Sequence, residues 1–170
     1  KNGKLYRFFP NGDVTIVSDG HGCSNGMGFS PDLKYFYHCD PSKGSIVRHP
    51  YDSSTHDIGE SEVWFQHSGD GAPDGITVDS NGFVWAALWG GSGVIKIDPD
   101  GNIVDKISVP AIQTSSCMFG GEKLTDLYVT TAATPDNLNV LPEGSYLGGS
   151  LFKIESSSVG KLEYETKFEF

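Results

Sequence analysis

The chain has 170 residues, of which 22 are acidic and 12 basic, so its formal net charge at pH 7 is −10. This charge argues against nucleic acid as a partner, because binding to phosphates requires concentrated lysine and arginine. No apolar run approaches the roughly 18 residues of a membrane-spanning helix, so no membrane partner is expected. The 22 glycines and 9 prolines fit a chain with frequent tight turns.

Two short strand patterns, rich in Val, Ile, Tyr, Phe and Trp, alternate along the chain. In the first pattern a polar key residue precedes a pair of strands, with an apolar residue four places after it. The key residues are Asn25, Asp74 and Ser115. The second pattern begins with a glycine, and it recurs at 3–7, 44–48, 93–97 and 149–154.

The key residues lie 49 and 41 positions apart. A repeat of roughly 40 to 50 residues with four short strands is typical of a β-propeller blade. The alternative, a β-sandwich, gives no reason for the same apolar spacing to occur three times. The sequence therefore predicts an all-β fold with three full units and a leading half unit, which is about three and a half blades of four-stranded antiparallel sheet.

A propeller closes a ring of at least about four blades, because closure pairs the exposed strand edges. The chain begins within a strand pattern at Lys1. We therefore expect residues 1–170 to be the C-terminal part of a single propeller domain of a longer protein. Its three cysteines are odd in number and follow no disulfide spacing, so we expect reduced thiols in a cytoplasmic protein.

Several motifs in a fixed order carry a family resemblance. They are 24–26 (Ser-Asn-Gly), 73–75 (Pro-Asp-Gly), 84–87 (Val-Trp-Ala-Ala), 114–117 (Thr-Ser-Ser-Cys) and 149–154 (Gly-Ser-Leu-Phe-Lys-Ile). With them the chain resembles the family of regucalcin (senescence marker protein), gluconolactonase and luciferin-regenerating enzyme over essentially its whole length. The resemblance implies part of a six-bladed propeller with a divalent metal in its channel. It also implies hydrolysis of sugar lactones, so a small-molecule lactone is the expected partner.

The resemblance implies that Asn25 is a metal ligand and that Asp74 is both a metal ligand and the catalytic base. The expected metal is Ca²⁺ or Zn²⁺, with Mg²⁺ and Mn²⁺ as alternatives. The residues give weaker support of their own, because equivalent positions in a propeller lie equally far from its axis and their oxygens suit hard cations. Asn-Gly and Asp-Gly are also the commonest hairpin-turn dipeptides, so a plain turn is the alternative.

Ser115 and Trp89 are weaker candidates for substrate contact, Ser115 as a hydroxyl lining the channel and Trp89 by its place beside the glycine run 90–93. Asp98 begins a segment that lacks the glycine and glutamate of an EF-hand loop, so we predict a turn there. The histidines lack the paired spacing of a zinc site, and we predict that they are scattered surface or turn residues. They are His21, His38, His49, His56 and His67.

The predicted function is metal-dependent hydrolysis of sugar lactones. Because a fold alone does not fix function, a non-catalytic calcium-binding or scaffold propeller is the leading alternative. A luciferin-regenerating type of activity at the same metal site is a third hypothesis.

Overall fold

A computed structural model describes residues 3–134 and 148–165 of the chain. The regular secondary structure of these residues is short β-strands, apart from one 3₁₀ turn at Pro41–Lys43. In chain order the strands are β1 (Gly3–Phe8), β2 (Val14–His21), β3 (Met27–Phe29), β4 (Tyr35–Asp40), β5 (Ser45–Asp52), β6 (Asp57–Ile58), β7 (Glu62–Gln66), β8 (Ala72–Val78), β9 (Val84–Trp89), β10 (Gly93–Ile97), β11 (Ile103–Ser108), β12 (Gln113–Gly120), β13 (Asp126–Ala132) and β14 (Leu151–Glu155). No helix in these ranges has the length and apolar character that a membrane crossing requires.

The strands form antiparallel sheets that correspond to propeller blades. β1 and β2 form a leading hairpin. The first blade contains β3, β4, β5 and β7, and β6 pairs with the end of β5. The second blade contains β8 to β11, and the third contains β12 to β14. The predicted partial propeller is confirmed, whereas the assignment of residues 1–170 to one domain stays a prediction.

The hydrophobic core lies between successive blades, because side chains of the second blade alternate between its two faces. Val84, Ala86 and Leu88 belong to a buried cluster shared with the first blade. Trp85 and Ala87 belong to a second cluster, shared with the third blade. Both faces of β9 are therefore covered, and all of its residues except the last are buried.

The turn predicted at Asp98 is confirmed. Its Oδ1 accepts hydrogen bonds from the backbone N–H groups of Asp100 at 3.0 Å and Asn102 at 2.8 Å. Gly101 has a φ of 87°, in the left-handed region that glycine adopts without strain. The Asp98 carboxylate is thus part of a strand connection.

The prediction that the histidines are surface or turn residues is wrong for three of them. His21, His38 and His49 are buried, with exposed fractions of 7%, 0% and 2%. The ring of His21, in the leading hairpin, lies 4.5 Å from the ring of His38 in the first blade. Spacing along the chain did not indicate this burial, because it depends on which element covers each face of β4.

These buried imidazoles are only partly hydrogen-bonded. His38 Nε2 lies 2.8 Å from Ser24 Oγ, but its Nδ1 has no hydrogen-bond partner among the described residues. Burial, with smaller contributions from the neighbouring His21 and His49, lowers the pKa of His38 to about 4. A proton on His38 Nδ1 would therefore meet no acceptor among the described residues, and the nearby Asp40 carboxylate only partly compensates its charge.

We expect acid to destabilise this interface through His38. Its pKa is about 4 in the folded chain against 6.5 ordinarily, so the unfolded chain binds its proton first as the pH falls below 6.5. Stability should fall between those two values, with a contribution of about 3 kcal/mol from His38. Urea unfolding at a series of pH values should show this slope, and His38→Phe should remove the part due to His38, leaving that of His21, whose pKa burial also lowers. The control His56→Asn, at an exposed histidine with positive φ, should keep the whole slope.

Candidate functional site

The segment that carries Asn25 is a β-bulge at the start of the first blade. The N–H of Asn25 donates to the carbonyl oxygen of Cys39 at 3.0 Å, and the N–H of Cys39 donates to the carbonyl oxygen of Gly26 at 2.8 Å. Met27 already pairs with His38. Two residues, Asn25 and Gly26, therefore oppose the single residue Cys39 on β4.

The key residues of the next two blades lie at bulges as well. In the second blade Pro73 pairs with Leu88 and Ile76 pairs with Ala86, so Asp74 and Gly75 together oppose Ala87. In the third blade the register shifts at Ser115, between residues 114 and 116. Bulges are frequent next to active sites because they re-aim a side chain without disturbing the rest of the strand.

The bulges of successive blades touch through their backbones. The N–H of Gly26 donates to the carbonyl oxygen of Asp74 at 3.1 Å, and a Cβ on Gly26 would lie only 2.5 Å from that oxygen. A Cβ on Gly75 would lie 2.7 Å from Ser116 Cα and would collide with its Oγ. The structure thus brings Asn25 and Asp74 into adjacent segments, with Ser115 following in the third.

These contacts explain the glycines better than a hairpin turn does. Neither Gly26 nor Gly75 is among the residues with positive φ, so neither forms the type I′ turn that their dipeptides suggest. Glycine is required at both positions because another backbone lies where a side chain would be.

Asp74 differs from the other buried carboxylates of the described residues. Asp40 accepts hydrogen bonds from Gly22, Cys23 and Ser42, and Asp79 accepts one from the Trp85 indole. Asp74 is also buried, at 8% exposure, yet no described residue donates a hydrogen bond to its carboxylate.

The pKa of Asp74 reflects this lack of hydrogen-bond donors among the described residues. Burial raises the pKa of Asp74, because loss of hydration disfavours the charged form. In Asp40, by contrast, burial also opposes ionisation, but the hydrogen bonds outweigh it and lower the pKa to about 2. A bound cation would offset the free-energy cost of ionising Asp74 in its buried position.

The donors present at the site fit a hard divalent cation. Asn25 supplies an amide oxygen and Asp74 a carboxylate from the adjoining segment, and oxygen is the ligand that Ca²⁺ and Mg²⁺ prefer. Among the described residues, no group of three or more His, Cys, Asp or Glu is arranged to hold a metal. Because Ca²⁺ takes about six to eight oxygens, other ligands would have to complete the shell.

Ser115 and Trp89 lie at the edges of this region. Ser115 is half-buried, and its Oγ is 2.9 Å from Thr130 Oγ1 within the same blade. Trp89 is 38% exposed and pairs through its backbone with Ala72, two residues before Asp74, and with Gln113 of the third blade. Their contact with substrate stays a prediction.

Cys39 is a residue of this region that the sequence did not single out beyond its expected reduced state. It is fully buried, and its Sγ lies 3.0 Å from the carbonyl oxygen of Pro73, directly before Asp74. Burial raises the pKa of the Cys39 thiol, and the nearby Asp74 carboxylate raises it further, so it stays protonated at neutral pH. No local sequence signal identified it, because its contact with Pro73 depends on the packing of whole blades.

A separate cleft of about 290 Å³ lies between the first and second blades, lined in part by Tyr35, Tyr37, Arg48 and Asn81. It contains none of the predicted site residues. The Arg48 guanidinium is already engaged, because it pairs with Glu62 and stacks on the Tyr35 ring. The cleft therefore offers no free cationic group for a ligand.

Comparison with known proteins gives a consistent result. Residues 1–133 match the profile of the SMP-30/gluconolactonase/LRE-like region. The pentonolactonase of Haloferax volcanii is 36% identical over 169 residues, which cover 96% of this chain and 58% of that protein.

Solved structures show the same likeness. A luciferin-regenerating enzyme superposes with a TM-score of 0.85 at 29% identity, over 94% of this chain and 54% of that one. Regucalcin of Agrobacterium tumefaciens, described as a calcium-binding protein, gives a TM-score of 0.84 at 29% identity, over 96% and 56%. The chain thus spans a little over half the length of these relatives.

We expect Gly75→Ala to disturb the site through the contact with the third blade. The added Cβ would overlap Ser116, and relieving such overpacking costs about 1 to 3 kcal/mol. A lower melting temperature and weaker Ca²⁺ binding should follow. Gly59→Ala is a matched control, because its Cβ would meet Pro50 at an ordinary 3.5 Å. Equal losses in both variants would contradict the importance of the close approach at Gly75.

Proposed function

Because this chain belongs to the SMP-30/gluconolactonase/LRE-like family, we propose that the protein hydrolyses sugar lactones in a metal-dependent reaction with Asp74 as the base. The observation that carries the proposal is the buried Asp74 carboxylate without a hydrogen-bond donor among the described residues, next to the Asn25 segment. The name of the Haloferax volcanii relative, a pentonolactonase, supports a sugar lactone as the substrate class.

The reaction needs one water molecule and one base. The oxygen of water forms a bond to the lactone carbonyl carbon, and the bond from that carbon to the ring oxygen breaks. Asp74 takes a proton from the attacking water and returns one to the departing ring oxygen, so the product is an open-chain hydroxy acid. The base must be ionised before the attack, and no described residue forms an ion pair with Asp74 that would hold its charge.

Asn25 and Asp74 are the residues of this chain that would hold the cation. When bound, a divalent ion such as Ca²⁺ or Zn²⁺ polarises the lactone carbonyl and lowers the pKa of a nearby water. The backbone contact between Gly26 and Asp74 keeps the segments that carry the two donor residues next to each other. A neighbouring positive charge also offsets the burial that raises the pKa of Asp74.

Ser115 and Trp89 complete the proposal on the substrate side. The Ser115 hydroxyl can donate a hydrogen bond to a lactone oxygen once it releases Thr130 Oγ1. The exposed part of the Trp89 ring can pack on the apolar face of a sugar ring. A cytoplasmic location also stays a proposal.

One observation favours a second candidate function. The Agrobacterium tumefaciens relative is described as a calcium-binding protein, and a site with two oxygen donors is equally suited to binding Ca²⁺ without catalysis. Under this alternative Asp74 would contribute to the affinity for Ca²⁺ and would not act as a base.

Substitution of the two donors should separate their roles. In the full-length protein, Asp74→Ala should abolish lactone hydrolysis and weaken Ca²⁺ binding by tenfold or more, about 1.4 kcal/mol. Asn25→Ala should chiefly weaken Ca²⁺ binding, because an amide cannot act as a base. Asp98→Ala should leave both unchanged, since its carboxylate caps a turn. Calorimetry with CaCl₂ showing unchanged affinity in both site variants would refute the metal assignment.

Metal removal and pH should act on the same step. Protein stripped with a chelator should lose hydrolysis of small sugar lactones and regain it on addition of a divalent cation. The base works only when ionised, so activity should be present above the pKa of Asp74 and lost as the pH falls through it. Burial alone would place that loss at a higher pH than for an exposed aspartate. Full activity in excess chelator would refute the metal dependence of the proposed hydrolysis.

A further inference from the structure

We propose that Cys39 is a positioning residue that holds the Asp74 segment against the Asn25 segment. The inference rests on the proposed function for its relevance to the metal site, but the contacts that support it are independent of any metal. Cys39 contacts both segments, through its backbone on one side and its side chain on the other.

The backbone of Cys39 sets the geometry of the first bulge. Its carbonyl oxygen accepts from the N–H of Asn25 at 3.0 Å, and its N–H donates to the carbonyl oxygen of Gly26 at 2.8 Å. The bulge therefore exists only as long as this part of β4 stays in place.

The side chain of Cys39 reaches the next blade. Its S–H donates to the carbonyl oxygen of Pro73, with Sγ and oxygen 3.0 Å apart, and the carbonyl belongs to the peptide that leads into Asp74. The thiol is fully buried in the cluster between the first and second blades, beside residues such as Ile76 and Leu88. A buried carbonyl in an apolar setting is stabilised by a hydrogen-bond donor, so the thiol restrains the segment as well as filling space.

The equivalent residues of the other two blades do not make this connection. Ala87 stands opposite the bulge of the second blade and has no polar side-chain atom. Thr130 pairs with Ser116 beside the bulge of the third blade, and its Oγ1 lies 2.9 Å from Ser115 Oγ in the same blade. Only Cys39 joins two successive blades from this position, and it does so where the two candidate ligands meet.

The test follows the Gly26 amide, whose acceptor is the Asp74 carbonyl. In metal-free full-length protein, Cys39→Ala should speed hydrogen exchange at Gly26 at least tenfold, because the Asp74 segment loses its restraint. Cys39→Ser keeps a hydrogen-bond donor, but its C–O bond is shorter than the C–S bond of cysteine. This variant should therefore recover part of the protection of the Gly26 amide against exchange. The matched control is Cys117→Ala, which removes a buried thiol between the second and third blades that donates to the Trp85 carbonyl at 3.5 Å.

Calcium titration of the same variants gives the second readout. Cys39→Ala should weaken the affinity for CaCl₂ about tenfold, Cys39→Ser less, and Cys117→Ala less than twofold at a comparable loss of melting temperature. Equal exchange at Gly26 in the Cys39→Ala and Cys117→Ala variants, or no difference between Cys39→Ser and Cys39→Ala, would overturn the inference. Absence of lactone hydrolysis in the wild type, with the exchange pattern intact, would refute the proposed function and leave the positioning role in place.

Discussion

Backbone contact between the bulges of successive blades is the constraint on which the rest of this site depends. Gly26 lies against Asp74, and Gly75 lies against Ser116, with no room for a Cβ at either glycine. The contact at Gly26 is with main-chain atoms, whose positions do not depend on rotamers, and the contact at Gly75 includes the Cα of Ser116. The extra residue of a bulge leaves the ladder while its neighbours keep their alternation, so a polar residue can occur in a strand whose other side chains form the core.

The buried carboxylates differ in whether the fold supplies hydrogen-bond donors to them. Asp79 is fully buried, but backbone N–H groups and the Trp85 indole donate hydrogen bonds to its carboxyl oxygens. Asp74 lies in a comparable depth of protein without such donors among the described residues. Ionising Asp74 in this position therefore costs free energy. Such unfavourable positions are typical of sites that bind a ligand.

The sequence was sufficient to predict the repeat and to identify the candidate ligands. Asn25 and Asp74 were singled out chiefly by the family resemblance, with weaker support from their equivalent positions in the repeat, and the structure places their backbones in adjoining segments. The sequence did not show why glycine follows each of them, since turn statistics point to positive φ and the true reason is contact with the next blade.

Neighbouring residues of β4 explain the other omissions. His38 and Cys39 are adjacent in sequence, yet one lies in contact with the leading hairpin and the other in the cluster shared with the second blade. Alternation along a strand predicts that they face opposite ways, but it does not say what covers each face. The contact between Cys39 and Pro73 spans 34 residues of sequence and depends on the packing of whole blades, so no local pattern encodes it.

The distribution of the cysteines has a consequence for studying how the fold comes apart. Cys23 is exposed, Cys39 lies in the cluster between the first and second blades, and Cys117 lies in the cluster between the second and third. Thiol reagents reach buried sulfur only when the surrounding structure opens. Cys23 should therefore react at once, while Cys39 and Cys117 react at rates set by the opening of two different interfaces. The chain thus carries natural probes that distinguish which of its blade interfaces separates first.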